Sequence, residues 1–284
     1  MIPTSFDYEV AKSVDHARLL LRQGGEDAKL IAGGHSLLPL MKLRLARPTL
    51  LIDLKNITDL SYVSESDDYI AIGALTRHHD VQQSDVLAEQ CPILAHAAGL
   101  VGDPQVRHRG TIGGSVAHGD PASDLPSVLL ALDAEFVIRG GSGSRTVQAR
   151  EFFRGMFETA LAADEVLTEI RVRRPAAGHG WSYIKFNRRA QDWAIVGVAA
   201  LVERDNGNIT RASIGLTNMG WTPLRATGVE SALMGNGADA VAAAAEHAAD
   251  GTNPPSDTNA SADYRQHLAQ VLVRRAVEEA LGRS

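Results

Sequence analysis

The stretch "IAGGHS", residues 31–36, places two adjacent glycines between an apolar strand and a helix. The strand is predicted at "AKLI", residues 28–31, and the next strand at "TLLIDL", residues 49–54. Glycine permits φ > 0 and lets the backbone approach a ligand closely, and the following helix offers free N–H groups to an anion such as a diphosphate. The spacing is neither G-x-G-x-x-G nor G-x-x-x-x-G-K-[ST], and a lone Gly-Gly turn is more often only a turn. Both interpretations therefore stay open for this motif alone.

A second glycine pair lies in "RGTIGGSVAHGDPASDLP", residues 109–126. Hydroxyl residues flank the pair, in the order Thr111, Gly113, Gly114 and Ser115. A dinucleotide whose diphosphate is bound from two sides needs two such turns in one domain. The alternative is a β-turn with a Ser/Thr motif. Asp124, which opens the next apolar helix, is either the N-cap of that helix or an acceptor for sugar or ribityl hydroxyls.

The order of the predicted elements indicates an α+β protein. Up to about residue 175, amphipathic helices alternate with short strands, and one long helix is predicted over 85–102. Beyond it come three alternating strands, with "RDNGN" as a hairpin turn, and two helices. A Pro/Gly/Ala segment between the two parts indicates a hinge. The predicted domains are 1–176, with lobes of about 1–57 and 58–176, and 177–284.

Composition excludes several classes of function. The single cysteine, Cys91, excludes internal disulfides and an iron–sulfur cluster or Cys-rich zinc site built by this chain alone. A net charge of -6 gives no reason to expect nucleic acid as a partner. No apolar run approaches the roughly 20 residues of a membrane span, and no signal peptide opens the sequence. We therefore expect a cytoplasmic protein.

Four further side chains have more than one interpretation. His78 and His79 are adjacent, so on a strand they point to opposite faces, and solvated histidines are expected rather than metal ligands. In "YIKFNRRAQDWA", Lys185 and Trp193 are either an exposed lysine and a core indole, or a cation and an aromatic face for a ring system.

Four segments resemble one known family: "AGGHSLLPLMKLRLARPTLLIDL", "GDPQVRHRGTIGGSVAHGDPASDLP", "GHGWSYIKFNRRAQDWA" and "ASIGLTNMGWTPLRA". They are similar to the FAD-binding medium subunits of molybdenum hydroxylases, closest to those of aerobic carbon monoxide dehydrogenases. The resemblance covers essentially the whole chain. It implies a two-lobed FAD domain of the vanillyl-alcohol oxidase/PCMH type, followed by a smaller C-terminal domain with a three-stranded antiparallel sheet and helices.

The resemblance also implies the site residues. It gives a first diphosphate loop at Lys29, Ala32, Gly33, Gly34, His35, Ser36 and Leu37, and a second at Thr111, Gly113, Gly114 and Ser115. Asp124 resembles the carboxylate that meets FAD hydroxyls, and Leu167 and Lys185 correspond to residues near the flavin ring. Trp193 stands where the family often has Tyr beside the isoalloxazine. No catalytic residue and no metal ligand is implied on this chain.

The function that the resemblance implies is electron transfer. A large partner carries molybdopterin, a small partner carries two [2Fe-2S] clusters, and FAD on this chain passes electrons to an external acceptor, quinone-linked in respiratory members. A dimer of heterotrimers, cytoplasmic or at the inner face of the membrane, is expected, with carbon monoxide as the substrate of the assembly. Other molybdenum hydroxylase substrates, a stand-alone flavin oxidase and a nucleotide-binding structural module are the alternatives.

Overall fold

The computed structural model describes residues 2–174 and 178–283, and these form an α+β fold with three main sheets. The domain boundary predicted at 176/177 lies outside the described residues. Within the described residues, no helix is both long enough and apolar enough to cross a membrane.

The strands of the described residues are β1 (Asp7–Val10), β2 (Ala28–Ile31), β3 (Leu50–Asp53), β4 (Val63–Glu65), β5 (Tyr69–Gly73), β6 (Glu135–Gly140), β7 (Gly143–Gln148), β8 (Phe153–Gly155), β9 (Glu158–Thr159), β10 (Val166–Arg173), β11 (Gly180–Phe186), β12 (Val196–Asp205), β13 (Asn208–Thr217) and β14 (Leu224–Arg225). The α-helices are α1 (Val14–Gly24), α2 (Leu37–Lys42), α3 (His78–Gln82), α4 (Asp85–Gln90), α5 (Pro92–Gly99), α6 (Pro104–Arg107), α7 (Ile112–His118), α8 (Asp124–Ala131), α9 (Ala149–Phe152), α10 (Thr227–Leu233), α11 (Val241–Ala245) and α12 (Ala262–Leu281). Short 3₁₀ helices lie at Gly25–Asp27, Thr58–Leu60, Ala238–Ala240 and Glu246–Ala249.

The first lobe is a parallel sheet in the order β1-β3-β2, packed against α1. Ser13 caps α1 by accepting a hydrogen bond from the His16 amide at 3.1 Å, and Gly25 ends it with φ 64°. Because the strands are parallel, the carboxyl ends of β2 and β3 lie at the same edge of the sheet. The glycine pair that follows β2 therefore leaves the sheet at that edge.

The second lobe is an antiparallel sheet in the order β4-β5-β10-β6-β7. Its buried face packs on helices α3, α5, α7 and α8 around an aliphatic core that includes the edge-to-face pair Phe136 and Phe152. The centre of the sheet is β10, although β10 is the last of these strands in the sequence. The chain thus returns to the middle of the lobe before it leaves for the C-terminal part.

The C-terminal sheet has the order β11-β12-β13-β14 and packs against α12. The three predicted antiparallel strands are confirmed as β11, β12 and β13, and the two-residue β14 adds a fourth. Asn206 and Gly207 both have positive φ, 49° and 87°, as expected for the tight hairpin turn between β12 and β13.

Two local predictions were wrong. The single helix over 85–102 is divided into α4 and α5, because Cys91 leaves the helical conformation, with φ -146° and ψ 58°, and Pro92 has no N–H to continue the ladder. His78 and His79 begin α3 instead of lying on a strand, and His78 is buried. The alanine-rich tract is helical, with the five-residue α11 between two 3₁₀ segments.

Helix α8 connects the second lobe to the C-terminal sheet by packing on β13. The Ser127 and Thr217 hydroxyls are 2.5 Å apart across this contact, and both residues are fully buried. A Cβ at Gly215 would collide with the Ser127 carbonyl oxygen. Glycine is required at 215 because backbone meets backbone there.

We expect Gly215→Ala to lower the free energy of unfolding by about 1–3 kcal/mol, since the added methyl must push α8 and β13 apart. Thermal unfolding monitored by circular dichroism measures this. Gly282→Ala is the matched control, because a Cβ there meets only ordinary contacts at 3.5 Å or more. Equal melting temperatures for the two variants would contradict the close contact between α8 and β13.

Candidate functional site

The two glycine turns lie against each other at the edge of the first lobe. A Cβ at Gly33 would collide with the Arg109 carbonyl oxygen and with the Gly110 Cα. On the other side, a Cβ at Gly114 would stand 4.0 Å from the Ala32 Cβ. Turns that are far apart in the sequence therefore form one cradle, with backbone facing backbone.

The glycines of this cradle are needed for different reasons. Gly34 has φ 76°, the left-handed conformation that favours glycine. Gly113 is held against the backbone of Ala74, where a Cβ would stand 2.5 Å from the Ala74 oxygen. Gly114 lies in α7, and its added Cβ would meet the Thr111 hydroxyl at 2.7 Å. Glycine is required at 113 and 114 because there is no space for a side chain, and not because of the backbone φ angle.

The first turn has hydrogen-bond donors that the protein does not use. In the described part of the chain, the backbone N–H groups of Gly33, Gly34, His35 and Ser36 donate to no acceptor. Four consecutive amides without an acceptor suit the oxygens of an anion. The donor set therefore fits the diphosphate of FAD.

The amides of the second turn are already engaged. Gly113 donates to the Ala74 oxygen at 2.9 Å, Gly114 to the Thr111 hydroxyl at 3.1 Å, and Ser115 to the Thr111 carbonyl at 3.1 Å. This turn contributes a wall without side chains, together with the Ser115 hydroxyl. The first turn thus offers hydrogen-bond donors to a ligand, and the second turn lets a ligand approach the backbone closely.

Three apolar or cationic side chains predicted for the site lie on elements that adjoin the two turns. Leu37 opens α2 directly after the first turn, and Lys29 is exposed on β2, the strand before that turn. Leu167 is buried on β10, and the carbonyl oxygen of the next residue, Thr168, accepts the Ala74 amide at 2.9 Å. Since the Ala74 oxygen in turn accepts from Gly113, two backbone hydrogen bonds connect β10 to the second turn.

Asp124 is the centre of a buried polar cluster. Its carboxylate accepts from the Tyr183 hydroxyl at 2.6 Å and from Lys185 Nζ at 2.8 Å, and Lys185 Nζ also donates to the Leu100 oxygen at 2.9 Å. The side chains of Asp124 and Lys185 are each 4% exposed. Asp124 is the first residue of α8 and Ser123 holds the N-cap position, so the N-cap interpretation is wrong. The interpretation of Lys185 as an exposed lysine is wrong as well.

Burial sets the protonation of this cluster. Burial raises the pKa of the Asp124 carboxyl above its ordinary value, while the Lys185 charge and the hydrogen bonds from Lys185 and Tyr183 oppose that rise. Burial, and the negative charge of Asp124, raise the pKa of Tyr183 well above its ordinary value, so Tyr183 stays a phenol and donates. Tyr183 lies in a strand with alternating apolar and polar residues, and nothing else in the sequence indicates a role for it in the site.

Trp193 is on the surface. Its side chain is 57% exposed in the segment between β11 and β12, so the interpretation as a core indole is wrong. It borders a cavity of about 450 Å³. A role for its aromatic face against a ring system stays a prediction, and the position of the side chain permits it.

His78 lies beneath the second turn and is buried, so the expectation of a solvated histidine was wrong. Its amide donates to the Gly110 oxygen at 2.9 Å, and its Nδ1 has no partner in the described part of the chain. Burial lowers the pKa of His78 to about 4, and the nearby His35 and Arg107 act in the same direction. Among the described residues, no group of three His, Cys, Asp or Glu side chains could hold a metal ion.

The lowered pKa of His78 predicts a loss of stability in acid. Between pH 6.5 and about 4, His78 becomes protonated in the unfolded chain but stays neutral in the folded chain. The free energy of unfolding therefore falls as the pH falls, by up to about 3 kcal/mol at the lower end. His78→Gln cannot titrate, and its melting temperature should therefore fall less than that of the parent over this pH range. His267→Gln, at an exposed position, should follow the parent. Parallel curves for His78→Gln and the parent would contradict a buried neutral imidazole.

Known protein families and relatives match this chain over nearly its whole length. The family profile described as "FAD binding domain in molybdopterin dehydrogenase" matches residues 4–175, and "CO dehydrogenase flavoprotein C-terminal domain" matches residues 181–280. The carbon monoxide dehydrogenase medium chain of Hydrogenophaga pseudoflava is 45% identical over 100% of this chain and 99% of that one. The 6-hydroxypseudooxynicotine dehydrogenase complex subunit alpha of Paenarthrobacter nicotinovorans is 41% identical over 100% of this chain and 97% of that one.

Solved structures agree with these sequence matches. One of them is a carbon monoxide dehydrogenase from Hydrogenophaga pseudoflava, an enzyme form that lacks the Mo-pyranopterin moiety of the molybdenum cofactor. A chain of that structure superposes with a TM-score of 0.98 at 46% identity, covering 100% of this chain and 99% of that one. A chain of quinoline 2-oxidoreductase from Pseudomonas putida 86 gives a TM-score of 0.93 at 33% identity, with 99% of each chain covered.

Proposed function

The chain belongs to the family of FAD-binding medium subunits of molybdenum hydroxylases, and we propose that it is the flavin-carrying electron-transfer subunit of an aerobic carbon monoxide dehydrogenase. The observation that carries the proposal is the full-length likeness to the Hydrogenophaga pseudoflava medium chain. In the assembled enzyme, carbon monoxide and water give carbon dioxide, two electrons and two protons at the molybdenum of a partner. This chain receives the electrons and delivers them to an external acceptor.

The residues that would hold FAD divide into three groups. Gly33, Gly34, His35 and Ser36 donate their unused amides to the diphosphate, with Lys29, Ala32, Thr111, Gly113, Gly114 and Ser115 completing the cradle. Asp124 accepts from hydroxyls of the cofactor, held in place by Lys185. Leu37 ends the first diphosphate loop, and Leu167 and Trp193 would provide apolar and aromatic surface for the ring. FAD supplies the chemistry that the side chains lack, because it takes up single electrons and releases pairs.

The iron–sulfur and molybdenum chemistry belongs to other chains in this proposal. Cys91 is fully buried, and burial raises the pKa of its thiol to about 12, so it is an inert part of the core. We assign two [2Fe-2S] clusters to a small partner and molybdopterin to a large one, in a dimer of heterotrimers. The acceptor is quinone-linked, which places the complex in the cytoplasm at the inner face of the membrane.

An exposed apolar patch next to the first turn supports the assignment of a cluster-bearing partner. Leu38, Leu43 and Leu45 are 40%, 55% and 74% exposed on α2 and the turn after it. Lys42 and Arg44 stand among them. Exposed leucines so close together in the chain, beside a cofactor site, support a surface that a partner covers.

Reconstitution tests the proposed function directly. The chain is expressed together with the large and small subunits encoded beside it, and carbon monoxide is added without oxygen. Carbon monoxide should bleach the flavin absorbance only when all three chains are present. If an aldehyde or an N-heterocycle bleaches the flavin and carbon monoxide does not, the chain serves another molybdenum hydroxylase, which the 41% identity to the Paenarthrobacter subunit keeps as the second candidate. Flavin reduction by an added substrate in the isolated chain would instead indicate a stand-alone oxidase.

Gly114→Val should abolish retention of FAD. The branched side chain would enter the gap between the turns, where an added Cβ already meets the Thr111 hydroxyl at 2.7 Å. Ala243→Val places the same side chain at an exposed helical position and should keep a full complement of flavin. The ratio of flavin absorbance to protein in each purified variant is the measurement. A folded Gly114→Val protein with one FAD per chain would show that the gap does not hold the diphosphate.

Trp193→Ala should retain FAD but alter the reactivity of the reduced flavin. The lost aromatic contact is worth about 0.5–1.5 kcal/mol, too little to empty a site that grips a whole dinucleotide. Oxygen should reoxidise the flavin faster, because one face of the ring is opened, while the melting temperature should hardly change. Trp221→Ala, with a side chain of similar exposure at 60%, is the control. An unaltered rate of reoxidation in Trp193→Ala would remove Trp193 from the flavin site.

A further inference from the structure

A cleft lined by four arginines lies between the second lobe and the C-terminal sheet. Its volume of about 290 Å³ is close to the lower end of the range of small-molecule sites. The second lobe contributes Asp133, just after α8, Arg150 of α9, and Arg173 and Arg174 at the end of β10. The C-terminal sheet contributes Arg211 of β13. We call this cavity the arginine cleft, after its four arginines.

The arginine cleft is separate from the flavin site. Helix α8 begins with Asp124 at the flavin site, and the cleft lies at its other end, roughly 10 Å along the helix axis. In the C-terminal sheet, Lys185 pairs with Gly197, whereas the cleft borders Val202, roughly 16 Å further along β12. No described residue that lines the cleft is among those proposed to hold FAD, and none borders the cavity beside Trp193.

The lining of the arginine cleft has an excess of positive charge. Its four arginines are accompanied by two acids, Asp133 and Glu203, so four charges minus two leave an excess of two, with histidine counted as neutral. One positive charge remains when their ion-pair partners outside the lining are also counted, namely Arg225, Glu65 and Glu230. The whole chain has the opposite sign, with a net charge of -6. The cleft therefore attracts anions on a protein that otherwise repels them.

Arg173 is the cation without a counter-ion. It is exposed, and its side chain forms no ion pair or hydrogen bond with any described residue. Arg150 donates to Asp133 at 2.7 Å, and Arg211 donates to Asp133 and to Glu203 at 3.4 Å each. A guanidinium group has five N–H donors, so most of those on Arg150 and Arg211 remain for a ligand.

A buried hydroxyl adds a donor on the side of the C-terminal sheet. Ser213 lines the cleft and is 3% exposed. Its Oγ accepts from Arg225 Nη2 at 2.9 Å and donates to no acceptor within the described ranges. Because buried polar groups are nearly always hydrogen-bonded, the unused proton of Ser213 indicates an acceptor that the protein itself does not supply.

The type of cation in the cleft favours a phosphate group. All four cations are arginines, and no described residue of the lining is a lysine. A planar guanidinium group can bind two phosphate oxygens at once, through two parallel N–H···O bonds. Leu132 and Leu201 also line the cleft and give it an apolar wall. The organic part of a phosphate ester can lie against this wall.

We propose that the arginine cleft binds the phosphate group of a phosphomonoester. Arg173 and Arg150 donate to its oxygens from the second lobe, and Arg211 and Ser213 donate from the C-terminal sheet. The ligand therefore bridges the two parts of the chain at the end of α8 that is remote from the flavin. Inorganic phosphate and a phosphorylated metabolite share this chemistry. The inference does not depend on the proposed function, because it uses no residue of the flavin site and no electron transfer.

Isothermal titration calorimetry at constant ionic strength tests the ligand. The full chain is loaded with FAD, so that the glycine cradle is filled, and is titrated with AMP, adenosine, inorganic phosphate or succinate. AMP should bind at one site, and adenosine and succinate should bind at least about tenfold more weakly. Inorganic phosphate that binds as tightly as AMP identifies free phosphate as the ligand, and weaker binding identifies a phosphorylated metabolite. No binding of AMP or phosphate, or equal binding of adenosine or succinate, would overturn the proposal.

Arg173→Gln and Arg211→Gln test the site from its two sides. Each variant should raise the Kd for AMP by about tenfold or more, with FAD content and melting temperature unchanged. Arg154→Gln is the matched control, because Arg154 is exposed, lies outside the lining and forms no ion pair among the described residues. An unchanged Kd in Arg173→Gln, or an equal rise in Arg154→Gln, would mean that AMP does not bind in the cleft.

The same titration of the assembled complex separates a small ligand from a partner chain. A Kd for AMP equal to that of the free chain supports the proposal. Binding that disappears on assembly would mean that acidic side chains of a partner occupy the cleft, and would overturn it. A complex that carbon monoxide does not reduce can still bind AMP in the cleft, so this inference and the proposed function can fail independently.

Discussion

The ion pair between Asp124 and Lys185 is the interaction on which the arrangement of the site depends. Asp124 belongs to α8 of the second lobe and Lys185 to β11 of the C-terminal sheet, so the pair connects the part with the glycine turns to the part with Trp193. Both side chains are 4% exposed. Removing one partner of such a buried pair leaves an uncompensated charge, at a cost of about 3–5 kcal/mol. Tyr183 satisfies a second oxygen of the carboxylate and so limits the cost of burying it.

Side chains are small on one side of that pair and long and polar on the other. At the cradle, backbone faces backbone between Gly33 and Arg109, and any Cβ would separate the turns. Beyond Asp124, the walls consist of long side chains such as Arg188 and Arg265. The cradle therefore offers backbone amides to a ligand, whereas the cavity offers side chains, which substitution can change.

Much of this site can be predicted from the sequence, because the residues that indicate each turn are close together in the chain. Two glycine pairs, each beside a helix, predict turns that approach a ligand, and the structure brings them together. Other features depend on contacts between distant segments. No periodicity in "HHD" indicates that His78 will be buried beneath Gly110, and Tyr183 reads as one more alternating strand residue. The break at Pro92 is a local signal that the apolar pattern of 85–102 obscured. The domain division at 176/177 stays a prediction.

The exposed leucines and the cavity bordered by Trp193 lie on different parts of the chain, and this separation suits a subunit that passes electrons onward. Leu38, Leu43 and Leu45 belong to α2 and the turn after it, next to the amides of the first glycine turn, whereas Asp120 and Trp193 border the cavity on the C-terminal side. If electrons arrive from a partner at the leucines, a small acceptor does not have to compete with that partner for access to the flavin.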